Sequence, residues 1–308
     1  MRVLATGQAQ EKVVYSFGAN PTDGAGPNDG LLFDSAGNLY GTTQAGGAAR
    51  AGGVFELSPQ LGGNWQETIL YSFCSLPDCE DGAEPRAGLI SDDAGNIYGT
   101  TVGGGAFSGG TCGGGGCGTV FELSPPGNSG GAWTETVIWN FKGNLNNDGG
   151  QPYSRLAWDG AGSIYGTTID GGSEGSYGTV FKLSLQAGGG WSEAVLYAFC
   201  PTGRPCPDGV SPFAGVTFDK AGNLYGTAEA GGFRGQWGTV YELSPSPEGN
   251  WTEVMLHQFM PQTGGNPFSQ VSVDQQGNLY GIVSDGPQGS DSQCGGAWGA
   301  RTAARRNL

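Results

Sequence analysis

The sequence predicts an all-β fold: a β-propeller of five four-stranded blades, the last of them incomplete. Three observations carry that prediction. Glycine supplies 62 of the 308 residues, and short runs rich in Thr, Val, Tyr, Phe and Trp lie between clusters of Gly, Asn, Asp and Pro. No stretch places apolar residues at i, i+3, i+4 and i+7, so long helices are not expected. Above all, one phrase recurs five times. It reads FDSAGNLYGTT ending at Thr43, SDDAGNIYGTT at Thr101, WDGAGSIYGTT at Thr168, FDKAGNLYGTA at Ala228 and VDQQGNLYGIV at Val283.

Within one copy the strands follow in order. Leu31 to Asp34 is predicted as the first and Asn38 to Thr43 as the second, joined by a tight turn in which Asp34 supplies an acceptor and Gly37 the turn geometry. Val54 to Ser58 (VFELS) is the third and Gln66 to Phe73 (QETILYSF) the fourth. Later copies read GTVFELSP with WTETVIWNF, GTVFKLS with WSEAVLYAF, and GTVYELSP with WTEVMLHQF. Four antiparallel strands at a near-constant period fit a propeller blade, whereas the repeats of a β-helix are shorter. Blades cover one another on both faces, which accounts for the continuous apolar character of VFEL and TILYSF. A β-sandwich gives no reason for five equivalent copies.

Residues 13–296 read as one propeller domain, with a leader remnant at 1–12 and an aberrant basic tail at 297–308. Met1 to Gln10 (MRVLATGQAQ) is short for a signal peptide, but its small-residue end resembles a cleavage region. In the fifth copy, Trp298 and Gly299 are followed by ARTAARRNL where the other copies continue TVFEL or TVYEL, so its third and fourth strands are expected to be missing. Val13 to Phe17 (VVYSF) is a fourth-type strand with no blade before it. It is expected to sit near the defective blade across a weakly paired seam, with the tail from Ala304 onward disordered.

A formal charge of −15 with 13 Lys and Arg disfavours nucleic acid and anionic membrane surfaces as partners. No apolar run reaches the roughly 18 residues of a membrane-spanning helix. Six of the seven cysteines fall in close pairs, Cys74 with Cys79, Cys112 with Cys117 and Cys200 with Cys206, and are predicted as local disulfides of an exported protein. A metal reading is disfavoured, since the spacings are not C-x-x-C and no histidine accompanies them. Cys294 is expected to be unpaired. No cofactor or metal site is expected, and the chain reads as a monomer.

Loop lengths separate by face. The first-to-second turn is constant, while the second-to-third and between-blade loops vary, so the face carrying the variable loops is the default binding face. Phe107, Tyr177, Phe233, Trp237 and Trp298 punctuate those loops and, with Asp170, are candidate ligand contacts. The blander reading of Tyr177 and Trp237, each just before a Gly-Thr pair, is that they plug a blade edge. Trp65, Trp133, Trp191 and Trp251 open outer strands in one register and read as structural. Asp34, Asp92, Asp159, Asp219 and Asp274 begin hairpin turns. Asp23, Asp81, Asp148 and Asp208, with Thr263 in the fifth place, begin DG-x-x-P loops and also read as turn residues, calcium binding being the alternative.

Catalysis lacks parts. The single histidine, His257, stands where other copies have Tyr71, Trp139 and Tyr197, a packing position, which disfavours a Ser-His-Asp triad. A glycosidase or lyase needs two carboxylates facing one another; Glu84, Asp170, Glu174 and Glu229 are the ones not tied to the repeat, and nothing in their spacing pairs them.

The DG-x-x-P loop, FDSAGNLYGTT, the GG-rich stretch, GTVFELSP and W-x-E-x-x-LYSF, in that order in successive copies, resemble the GloVer tandem repeat of secreted bacterial proteins with varied C-terminal anchors. The D-x-x-G-N turn is also similar to that of NHL-type propeller repeats. The resemblance implies a propeller-like fold and an extracellular or cell-surface location, and it brings no catalytic residues. The expected function is non-catalytic binding of an extracellular glycan or protein through the variable-loop face, the alternative being a carbohydrate-active enzyme.

Overall fold

In a computed structural model, residues 12–18, 22–128, 130–172, 175–203 and 205–286 are described, together with the backbone of Gly296–Arg301. Five small antiparallel sheets form the blades of a five-bladed propeller. The first blade runs Leu32–Phe33, Leu39–Gly46, Gly53–Pro59 and Trp65–Ser72, each strand paired with the next. The second, third and fourth blades repeat that order, ending on Thr134–Asn140, Trp191–Ala198 and Trp251–Gln258.

Two features differ from the sequence expectation. The DG-x-x-P segment is more than a loop: Gly24–Pro27 pairs with the end of Leu39–Gly46, and Gly265–Pro267 pairs with Asn278–Asp285 in the same way. The last blade also has a third strand, because the backbone of Gly296–Arg301 pairs with Asn278–Asp285 along its length although the VFEL pattern is missing. An open sheet edge offers donors and acceptors to any chain that reaches it, whatever its side chains.

The repeated phrase is explained by contacts. Asp34 Oδ1 accepts the N–H groups of Ala36 and Asn38 at 2.9 and 2.8 Å, while Oδ2 accepts from Asn38 Nδ2 and the Tyr40 hydroxyl. Asp92, Asp219 and Asp274 repeat all four bonds. Burial alone would raise the carboxyl pKa of Asp34, Asp92 and Asp219, but these bonds overcome it and hold it below the usual range. At Asp274 the Asn278 amide is the main cause of a similar lowering.

The YGT glycine faces an aromatic residue of the third strand: Gly41 pairs with Phe55, Gly99 with Phe121, Gly166 with Phe181 and Gly226 with Tyr241. A β-carbon on Gly99 would lie 2.5 Å from Phe121 Cζ, so only glycine leaves the ring its place. Three of those rings meet the Phe that closes the fourth-strand run of the preceding blade, with Phe73–Phe121, Phe141–Phe181 and Phe199–Tyr241 centroids 4.9, 5.1 and 5.1 Å apart. The threonine after that glycine links blades, Thr42 Oγ1 donating to Ala87 O at 2.9 Å and Thr167 Oγ1 to Ala214 O at 3.1 Å.

Phe17 lies 4.8 Å from Phe55 and Tyr15 packs edge-on to Phe17, so 13–17 makes the side-chain contacts of a fourth strand preceding the first blade. No strand forms over 12–18, and among the described residues no ladder joins it to the last sheet. What holds the segment is its side-chain packing on the first blade, where Tyr15 Oη also donates to Glu67 Oε2 at 3.0 Å. The segment from Ala304 onward lies outside the described residues, as do Cys294 and the Trp298 side chain.

Two acids also meet at four places around the ring. The W-x-E glutamates Glu67, Glu135, Glu193 and Glu253 face Asp23, Asp81, Asp148 and Asp208 of the preceding loop, and Oε1 of each glutamate is buried with no hydrogen-bond partner among the described residues. Desolvation first, then the facing aspartate, pushes Glu135 up to about 7, Glu193 to about 8 and Glu253 to about 7; Glu67, also mainly desolvated, rises to about 6.

The three close cysteine pairs are disulfides, two in between-blade loops and one in the second-to-third loop of the second blade. Alkylation of the unreduced protein followed by mass spectrometry is expected to label none of these six residues. Closing so short a loop contributes about 2 kcal/mol per bond in the chain-entropy treatment. Label on any of the six would contradict the pairing.

Candidate functional site

The site begins with the backbone just before the proline of each DG-x-x-P loop. Gly26, Glu84, Gln151, Ser211 and Asn266 all have φ between 53° and 67°, a left-handed conformation that costs four of them, as non-glycine residues, local strain. The five residues that follow the prolines, Asn28, Arg86, Tyr153, Phe213 and Phe268, line a single cavity of about 380 Å3. One residue from every blade converges there, which places the cavity on the propeller axis. The between-blade loops lie on the variable face, because the second-to-third loops hydrogen-bond directly to them, as Gly105 N does to Cys79 O at 2.9 Å.

Three of the five residues that follow the prolines are aromatic. Tyr153 and Phe213 have centroids 5.1 Å apart, Phe213 and Phe268 5.3 Å, and the Arg86 guanidinium lies 5.2 Å over Tyr153. Phe268 is 45% exposed, so the arc opens to solvent. The polar lining is tied to the inner strand edges. Asp29 accepts the N–H groups of Gly30 and Gly88, both at 2.6 Å, Arg155 Nε and Nη2 donate to Leu89 O, and Gln270 Nε2 donates to Val216 O. Each bond satisfies backbone that an unpaired inner edge would leave open.

None of the described residues singled out from the sequence lines this cavity. Tyr177 and Trp237 pack against the core clusters of the junctions that follow their blades, which is the edge-plugging role. Phe107 stays partly exposed beneath Lys142, and Phe233 sits under its neighbour Arg234. Asp170 lies in a short pair with Gly149–Gly150, and desolvation raises its carboxyl pKa; desolvation does the same to Glu229. Glu84 pairs with Arg86 at 2.9 Å, and Glu174 lies outside the described residues. His257 packs on Phe259 at 4.8 Å as Tyr71 does on Phe73, and burial lowers its pKa.

The loop aspartates close turns. Asp81 accepts from Ser75 N, Ser75 Oγ and Tyr71, and Asp208 from Cys200 N and Tyr197, while Thr263 Oγ1 accepts from Met260 N in the fifth loop. Among the described residues no three His, Cys, Asp or Glu side chains are placed to hold a metal ion, and no helix is long and apolar enough to cross a membrane.

A model of the Gloeobacter/Verrucomicrobia repeat matches residues 2–114 and 111–295. No curated protein matches the chain. Among solved structures, the chain is similar to an ancestral GH74 enzyme at 11% identity and TM-score 0.54, over 93% of this chain and 36% of that one, so it spans about a third of that enzyme's length. It is also similar to a gluconolactonase from Xanthomonas campestris, at 16% identity and TM-score 0.47 over 84% and 69% of the two chains, and to a glucose dehydrogenase, at 12% and 0.43 over 91% and 84%. At such identities the likeness to the GH74 enzyme shows the fold alone and establishes no activity. With both repeat matches together spanning nearly the whole sequence, the chain belongs to the Gloeobacter/Verrucomicrobia repeat family.

Proposed function

We propose that this chain is an exported, non-catalytic carbohydrate-binding propeller whose ligand stacks on Tyr153, Phe213 and Phe268 at the axial cavity. The observation that carries the reading is the arc of three rings contributed by three successive blades to one solvent-open cavity. The C–H faces of a sugar ring stack on such surfaces, and rings are ordered there at little entropic cost. The cavity lies at the lower end of the roughly 300–1,000 Å3 usual for ligand pockets, a size suited to one or two sugar units. Three disulfides in the loops support an oxidising location.

The enzyme alternative has one carboxylate at the cavity, Asp29, and both its oxygens accept backbone N–H bonds. A glycosidase needs a second carboxyl across the pocket. A glycan array combined with a hydrolase and lyase screen separates the two. We expect binding without product, weakened about tenfold by Phe213→Ala, which removes the middle ring of the arc. Product release would contradict the binding reading.

A further inference from the structure

We infer that the axial cavity selects acidic sugars, uronic-acid residues whose carboxylate meets Arg86 and Arg155 while the ring stacks on the aromatic arc; this rests on the carbohydrate-binding reading above. The chain has 13 Lys and Arg against 28 Asp and Glu, yet two arginines and one aspartate line this cavity. With Glu84 paired to Arg86 the local balance is even, against an excess of 15 acids over the whole chain. Asp29 moreover spends both oxygens on backbone N–H groups, so the groups left to meet a ligand are the guanidinium groups.

Both arginines have capacity to spare. Arg86 Nε is buried with no hydrogen-bond partner among the described residues, and its partner Glu84 has a side chain about half exposed (51%). An exposed ion pair of that kind is held weakly, so a ligand carboxylate can replace Glu84. Arg155 uses Nε and Nη2 on Leu89 O, which fixes its plane and leaves Nη1 uncommitted among the described residues. A planar fork held in place by the protein loses little freedom on meeting a carboxylate. The net charge of −15 opposes any anion at long range, but at physiological salt that field is screened beyond about 8 Å, and contact at the cavity decides.

The test titrates oligosaccharides of glucuronic, galacturonic and mannuronic acid, each beside its methyl ester, which keeps the ring and removes the charge. At least one acid is expected to bind about tenfold more tightly than its ester, as charge-assisted bonds require. Arg86→Gln should reduce that preference to about threefold or less, and Glu84→Gln, which frees Arg86 from its competitor, should increase it. Phe213→Ala should weaken acid and ester alike. If acid and ester bind equally, or only neutral glycans bind, and Phe213→Ala weakens that binding, the acidic selectivity is wrong and the cavity reading stands. If the wild-type chain binds no glycan of either kind, both fail.

Discussion

Phe181→Ala is expected to destabilise the propeller by about 3–5 kcal/mol, the usual cost of removing a fully buried phenylalanine from a core that cannot collapse around the gap. Phe181 is wholly buried, stands opposite Gly166 across the ladder and meets Phe141 of the preceding blade at 5.1 Å. The ring therefore belongs to two blades, and its loss opens their junction. Gly166→Ala attacks the same place from the other side, since the new β-carbon would lie 2.6 Å from Phe181 Cζ, and overpacking of that kind costs about 1–3 kcal/mol. In the double variant the added methyl occupies space the ring has vacated. Denaturation followed by tryptophan fluorescence is expected to give a double-variant cost smaller than the two single costs combined. Simple additivity would show that glycine and ring are not coupled.

Stability is expected to be higher near pH 5 than at pH 8, with a melting temperature about 5–10 °C higher at the acid value. The cause is the four half-buried acid pairs between blades. Glu67, Glu135, Glu193 and Glu253 have folded pKa values pushed up to about 6, 7, 8 and 7, and Asp148 is pushed up to about 6, mainly by desolvation. An acid whose pKa is raised on folding holds its proton longer in the folded state. Its contribution is fully present below the unfolded value near 4.3 and is lost as pH rises through the folded one. The groups are half-buried, so solvent screening reduces each pair to roughly 1 kcal/mol.

Two sets of groups act the other way. Turn carboxylates Asp34, Asp92, Asp219 and Asp274 have lowered values, so their contribution is present above about 3.9 and lost as pH falls further. His257, lowered by burial, favours the folded state above about 6.5, but it is one group against four junctions. The optimum therefore falls between about pH 4 and 6. Glu193→Gln, which mimics the protonated form beside Asp148, should flatten the profile between pH 5 and 8. An unchanged slope would show that the junction acids do not set it.

The architecture was legible because the blade is written five times and each phrase has a local cause. Asp34 and its equivalents satisfy their own turn, and Gly99 makes room for Phe121 one strand away. The cysteine pairs were legible for the same reason, since the partners lie five or six positions apart. What escaped was whatever depends on closing the ring. Asn28, Arg86, Tyr153, Phe213 and Phe268 occupy one register of the repeat, but the residue types differ, and only the closed ring brings them together. Their signal was a variable position directly after an invariant proline. For Tyr177 and Trp237 the sequence offered both a ligand contact and an edge plug, and their packing on the blade junctions fits the second. The third strand of the last blade was not readable because Gly296–Arg301 lacks the VFEL pattern that marks the other third strands.

A crystal structure of the chain with the tightest-binding glycan from the array tests most directly where the ligand sits. The expected result is a sugar ring stacked on at least two of Tyr153, Phe213 and Phe268, with a polar substituent toward Arg86. A sugar seated on the second-to-third loops at Phe107 or Phe233, with the axial cavity free of it, would contradict the assignment.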